Sequence, residues 1–155
     1  MLPKRLIFTM VKNTDFLGSR VSNPYNLRHY DLTNFTMFVN GRQIPSESLS
    51  LNMGHEKTSV RGYATLFEGT DIHHSKSGLQ ITQDMYINGF FMILYDLMPD
   101  LAASEGHASP PTSGEIRIDL KFTTALPEAI TCLLHLECDN SIRIDLGRNV
   151  STDFS

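Results

Sequence analysis

Alternation of apolar and charged residues with a period of two is the feature that most limits how this chain can fold. It is clearest over residues 115–122, where four apolar and four charged side chains fall on opposite faces of an extended segment. A helix would mix the two sets around its axis, whereas a strand of a sheet with one covered face separates them. The segment is therefore predicted to be a half-buried β-strand.

Similar runs of β-forming residues recur along the chain, bounded by residues that favour turns. Asn40-Gly41, which follows one such run, is the pair most typical of a two-residue hairpin turn. We expect the last three strands to form an antiparallel meander, and we expect the strand over 85–97 to bend at Gly89. The segments predicted to be strands are 6–11, 35–39, 42–45, 48–51, 85–97, 115–122, 129–138 and 142–146.

One segment has the period of a helix instead, and it predicts a short helix near 58–68 that ends at Gly69. Gly62 within it costs about 1 kcal/mol relative to alanine. Two long loops are predicted, over 69–84 and 98–114, and the second is either mobile or an interaction element. The apolar residues that predict the buried helix face are Val60, Tyr63, Ala64 and Phe67.

The length of 155 residues is that of one domain, which we place at 1–155. Many short strands with glycine and proline turns, together with one helix, are typical of a sandwich or a jelly roll. The predicted fold class is therefore all-β, a jelly-roll β-sandwich of about eight antiparallel strands with one short helix and long loops.

Composition argues against several functions. Thirteen Lys and Arg against seventeen Asp and Glu give a net charge of −4, without the basic excess that a nucleic-acid backbone requires. The longest apolar run, residues 90–95, is far shorter than the roughly 20 residues of a membrane-spanning helix. No apolar leader follows Met1. We expect no nucleic-acid ligand, no membrane insertion, and a cytoplasmic or nuclear location rather than secretion.

The two cysteines, Cys132 and Cys138, lie six residues apart in a predicted strand. That spacing separates them by about 20 Å, whereas a disulfide needs Cα atoms roughly 4.4–6.8 Å apart. They are predicted to be reduced thiols that pack in the core as small hydrophobic side chains, which fits a reducing compartment.

The remaining reactive residues form no recognisable motif for catalysis or metal binding. His73 and His74 are adjacent, so an extended chain points them to opposite faces. Asp96 and Asp100 flank a loop, where carboxylates ordinarily stabilise turns. We predict no catalytic, cofactor-binding or metal-binding residue and no small-molecule substrate; an enzyme would need a pocket of imidazoles and carboxylates gathered by the fold. The other histidines are dispersed at His29, His55, His107 and His135.

Six phrases, in this order, resemble one protein family. They are Leu2-Pro3-Lys4-Arg5-Leu6, Asn23-Pro24-Tyr25-Asn26, Val39-Asn40-Gly41-Arg42-Gln43-Ile44-Pro45, Tyr95-Asp96-Leu97-Met98-Pro99-Asp100-Leu101, Leu120-Lys121-Phe122 with Ala125-Leu126-Pro127, and Glu137-Cys138-Asp139-Asn140 with Ile142, Ile144 and Asp145. From Leu2 to about Phe154, the chain resembles the C-terminal part of the major capsid protein of Polinton (Maverick) elements and adintoviruses. Those proteins have a double jelly-roll fold in the lineage of adenovirus hexon.

The resemblance implies a structural role in a virion and no catalytic residue. The chain would be the C-terminal jelly roll of a capsid subunit from a virus-like transposon or its remnant, and it would act by self-assembly. Its implied partners are an N-terminal jelly roll and further copies, which form a pseudo-hexagonal trimer in the family. The surface that packs on the first jelly roll would expose an apolar patch of several hundred Å² in this chain alone. The alternative is a host-retained β-sandwich binding module whose loops contact a partner.

Overall fold

Nine β-strands and three helices make up the part of the chain that the structure, a computed structural model, describes. The described residues are 1–53, 59–70, 72, 78–104, 110, 112–140 and 142–152. The strands are β1 (Arg5–Lys12), β2 (Leu32–Val39), β3 (Arg42–Gln43), β4 (Leu49–Ser50), β5 (Ile93–Asp96), β6 (Ile116–Phe122), β7 (Ile130–Glu137), β8 (Ile142–Ile144) and β9 (Val150–Thr152). The helices are α1 (Asn13–Phe16), α2 (Val60–Thr70) and α3 (Gln83–Asn88).

Seven of these strands form two antiparallel sheets. In the first sheet β1 lies at the centre, between β5 and β7. In the second sheet β2 lies at the centre, with β6 along one edge and the short strands β3 and β4 along the other. The predicted all-β sandwich of antiparallel strands is confirmed, and the pairs β1–β7 and β2–β6 are nested as in the outer turns of a jelly roll.

The core lies between the two sheets. Inward and outward side chains alternate along both central strands, as the period of two requires. The Phe8 and Phe35 rings meet across the sandwich with centroids 5.1 Å apart, within the range of favourable aromatic pairs. The buried residues of the two central strands include Leu6, Phe8, Met10, Leu32, Phe35 and Met37.

The predicted hairpin at Asn40-Gly41 is confirmed. Both residues have positive φ, 52° and 78°, as a type I′ turn requires, and β3 pairs back on β2. The predicted strand over 48–51 is present as the shorter β4.

Helix α2 closes one end of the sandwich by packing on β5 and β4. A Cβ at Gly69 would lie 2.6 Å from the Cβ of Leu94, so the helix backbone lies directly on the strand. The helix lies where it is predicted, but the predicted buried face is wrong because Val60 is exposed. The face that is buried contains small residues, which let the helix backbone lie close to the strand. Its residues are Gly62, Thr65, Leu66 and Gly69.

The predicted strand over 85–97 is instead helix α3 followed by the shorter strand β5. The Thr82 hydroxyl accepts a hydrogen bond from the Met85 N–H at 3.2 Å and caps the helix. Gly89, with a φ of 150°, ends it. An apolar run fits a buried helix as well as a buried strand, so the threonine cap decides between them.

The predicted meander of the last three strands is wrong. β6 pairs with β2 and β7 pairs with β1, so the connection 123–129 crosses from one sheet to the other. β8 pairs with β9 rather than with β7. Strands with one apolar face suit a sandwich as well as a meander, and the choice rests on partners far away in sequence.

Candidate interaction surface

The residues considered for chemistry are dispersed in the structure. Within the described ranges, no three His, Cys, Asp or Glu side chains approach closely enough to hold a metal ion. His29 lies in the loop before β2, and His135 lies on β7. The remaining histidines, His55, His73, His74 and His107, lie outside the described residues.

Asp96 organises the loop after β5. Its carboxylate accepts hydrogen bonds from the Met98 and Ala103 N–H groups, both at 2.8 Å. Asp100 accepts one from the Ala102 N–H at 3.3 Å. This is the turn-stabilising role that the sequence predicts for the two acids.

Ion pairs and hydrogen bonds tie the loops together at the α1 end of the sandwich. Lys12 and Glu128 form an ion pair with an N–O distance of 2.6 Å, and this bond raises the pKa of Lys12. Buried Asp15 accepts a hydrogen bond from the Ser22 hydroxyl at 2.7 Å. The two acids are occupied in holding loops to the sheet.

The apolar face of the first sheet continues past the core onto β7. Antiparallel pairing sets Leu136 opposite Leu6 and Leu134 opposite Phe8, and directly opposed residues share a face. The β1 side chains are fully buried, whereas Leu134 and Leu136 are 49% and 46% exposed. Side chains that alternation assigns to the core are thus left in water.

The second sheet ends at β6, whose apolar side chains are better covered than those of β7. Ile118 and Leu120 lie opposite buried Met37 and Phe35, and both are partly buried against the core. Because α2 packs on both β4 and β5, these strands share one end of the sandwich, and β6 and β7 share the other. We call this end the open side, and its residues are Ile118, Leu120 and Phe122 of β6 and Cys132, Leu134 and Leu136 of β7.

The edge strands are covered at one end of the sandwich and uncovered at the other. Helix α2 packs along β5 at the closed end. At the open side β6 and β7 are the last strands of their sheets, and no described strand pairs with their outer edges. A long edge with unpaired N–H and C=O groups beside apolar side chains is a template for pairing with another chain.

Both cysteines are free, as predicted, but both are exposed, so the prediction of core thiols is wrong. Cys132 lies opposite buried Met10, on the face of β7 that is apolar but uncovered. Desolvation by neighbouring side chains raises the pKa of Cys132. The thiol therefore stays protonated at neutral pH, which makes it a poor nucleophile.

The β8–β9 hairpin exposes apolar side chains of its own. Ile142, Ile144 and Val150 are 64–68% exposed, and Leu146 is fully exposed. The Asp145 carboxylate accepts two hydrogen bonds from Asn149, both at 2.8 Å, which hold the turn and lower the pKa of Asp145. The hairpin thus has an ordered turn, but in the described part of the chain no other strand pairs with it.

Sequence reasoning did not identify the open side or the hairpin as a surface. Alternation assigns the leucines of β7 and the isoleucines of β8 to a covered face, and it carries no signal about what covers that face. The resemblance to a capsid subunit predicts an exposed apolar patch, but it does not place that patch on any strand.

Comparison with known proteins gives one weak likeness. An uncharacterized protein of Caenorhabditis elegans is 24% identical to this chain over 159 residues. The match covers 98% of this chain and 36% of that protein, so the chain spans little more than a third of its length. No protein-family model and no solved structure matches the chain. Among the helices that the structure describes, none has the length and apolar character needed to cross a bilayer.

Proposed function

We propose that the chain is a structural component of a virus-like capsid and acts by self-association. In this proposal it is the C-terminal jelly roll of a double jelly-roll major capsid protein from a virus-like transposon or its remnant, and its site of action is the virion shell. The observation that carries the proposal is the open side, where β6 and β7 are the last described strands of their sheets and β7 exposes Leu134 and Leu136.

Two further observations support the proposal. The ordered phrases that resemble the Polinton capsid protein lie on a β-sandwich, the architecture that the resemblance implies. The relative from Caenorhabditis elegans extends well beyond the matched region, which leaves room in that protein for a further domain such as another jelly roll.

The energetics of the open side favour association. Complete burial of a leucine or isoleucine stabilises a protein by about 1.5–3 kcal/mol. Leu134 and Leu136 are half exposed, so covering them regains about half of that value for each. Surface ion pairs contribute about 0–1 kcal/mol each, so apolar contact is the larger driving force here.

Light scattering of the chain across a concentration series tests the proposal. We expect the mass to rise with concentration from one copy to a small oligomer. The double variant Leu134→Asp with Leu136→Asp should stay monomeric, because charged side chains on β7 would have to be desolvated on association.

The matched control is Leu17→Asp with Val21→Asp, which places the same charges at exposed apolar positions of the loop after α1. The control should associate like the wild type. A wild-type chain that remains monomeric at every concentration contradicts the proposed function.

A further inference from the structure

The β8–β9 hairpin and the open side are both apolar and both lack a partner in the described part of the chain. We propose that the hairpin of one copy binds the open side of a second copy, where it adds its strands to the free edge of β7. This inference rests on the proposed self-association and names its contact.

A separate hairpin needs a surface to pack on. An isolated two-stranded hairpin is marginally stable at best in water, and this one exposes the apolar residues Ile142, Ile144, Leu146 and Val150. The surface that suits it must be apolar and must offer an unpaired strand edge. The open side provides both.

The hairpin does not pair with the β7 edge of its own copy. Lys4, just before β1, donates its backbone N–H to the Glu137 carbonyl at 2.7 Å. Its side-chain ammonium pairs with Asp139 at 2.8 Å. These contacts hold the chain after β7 beside β1, and among the described strands β8 pairs with β9 alone. A second copy presents the same free edge of β7.

Short connections favour exchange of an element between copies, and reciprocal exchange closes into a two-fold dimer. In such a dimer the hairpin of each copy lies beside β7 of the other copy. The predicted meander would have placed β8 beside β7 of the same copy. The alternation over 142–146 then continues the apolar face of β7.

The area of the exchanged contact is that of a stable interface. Each large apolar side chain buries about 60–120 Å². With four such side chains on the hairpin, an equal area on the partner surface that they contact, and two hairpins per dimer, the contact buries about 1,000–2,000 Å². Specific protein interfaces bury about 1,200–2,000 Å².

Association of the full-length variant Ile144→Asp is the first test. The hairpin is separate from the core, so the substitution should leave the unfolding of the dilute protein unchanged. It should raise the dissociation constant of the dimer about 10- to 100-fold. The control Val21→Asp should leave that constant unchanged.

Mixed disulfides identify the partner. In the first chain Cys132→Ser and Cys138→Ser remove both native thiols, and either Ile142→Cys or Ile144→Cys places the only thiol on the hairpin. The second chain carries Cys138→Ser, so its only thiol is Cys132 on β7. After mild oxidation of the mixture, we expect a disulfide between the two chains, located by peptide mass mapping. A chain with Ser46→Cys in place of the hairpin thiol is the control, because Ser46 is exposed beyond β3 at the other end of the second sheet.

The outcomes separate this inference from the proposed function. If the wild type associates but Ile144→Asp associates equally well, the exchange is wrong and self-association stands. If neither hairpin thiol forms more mixed disulfide than the Ser46→Cys control, the exchange is likewise wrong. If the wild type is monomeric throughout, both proposals fail.

Discussion

At Gly69 the absence of a side chain determines how closely α2 lies on β5. A Cβ there would meet the Cβ of Leu94 at 2.6 Å and its carbonyl carbon at 3.2 Å. Helix propensity alone predicts that Gly69→Ala stabilises the chain by about 1 kcal/mol. Contact with backbone cannot be relieved by rotating a side chain, and overpacking costs about 1–3 kcal/mol. We therefore expect Gly69→Ala to lower the free energy of unfolding by about 1–2 kcal/mol, measured by urea denaturation.

Gly78→Ala is the matched control, because its added Cβ meets nothing within 4 Å. It should be neutral or slightly stabilising. Equal stability of the two variants would show that α2 has room to move away from β5.

His29 gives the fold a dependence on pH. Burial lowers its pKa, Arg28 lowers it further, and the carboxylate of Asp31 opposes both. Its Nδ1 accepts a hydrogen bond from the Asp31 N–H at 3.0 Å, which requires that nitrogen to be unprotonated. The unfolded chain, with a histidine pKa near 6.5, binds the proton more readily. Stability is therefore complete above about pH 6.5 and falls as the pH drops toward the pKa of the folded state.

The variant His29→Asn should remove this contribution while keeping an acceptor for the Asp31 N–H, because asparagine forms the same turn with its side-chain oxygen. We expect the urea midpoint of the wild type to fall more than that of the variant between about pH 7.5 and about pH 5.5. Equal losses would exclude His29 as the titrating group.

Elements were predictable where a local signal fixed their type. Asn40-Gly41 determines a hairpin because both residues accept positive φ. The i, i+3, i+4, i+7 spacing predicts helix α2 in the right place, although those residues are not its buried face. The residues 85–97 lack such a signal: only the Thr82 cap separates helix α3 from a buried strand. The buried face of α2 was predicted wrongly because hydrophobicity favours Val60 over Gly62 at a buried position. Close contact between the helix and a strand favours glycine instead.

Local sequence signals could not predict which distant strands pair with each other. The alternation in β6 and β7 predicts that each has one apolar face, and the structure confirms this. It does not predict that the two strands belong to different sheets, because β1 and β2, which pair with them, lie about 100 residues earlier. Without a catalytic motif, the candidate surface can be recognised only from which apolar side chains are exposed. Their exposure depends on the complete arrangement of strands.

For the whole molecule, exposed apolar edges make stability depend on concentration. Association of folded copies adds about 2.7 kcal/mol of stability when the free protein is at 100 times its dissociation constant. For a chain of this size each 1 kcal/mol raises the unfolding temperature by about 2–4 °C, so a rise of about 5–10 °C is expected between dilute and concentrated samples.

Differential scanning calorimetry over a 100-fold range of concentration measures this rise. The variant Leu134→Asp with Leu136→Asp should unfold at a temperature that no longer changes with concentration, because its folded copies do not associate. The variant Leu17→Asp with Val21→Asp should keep the wild-type dependence. A wild-type unfolding temperature that is constant over that range would mean that the open side stays uncovered in solution, and that the sandwich tolerates its exposed leucines as a monomer.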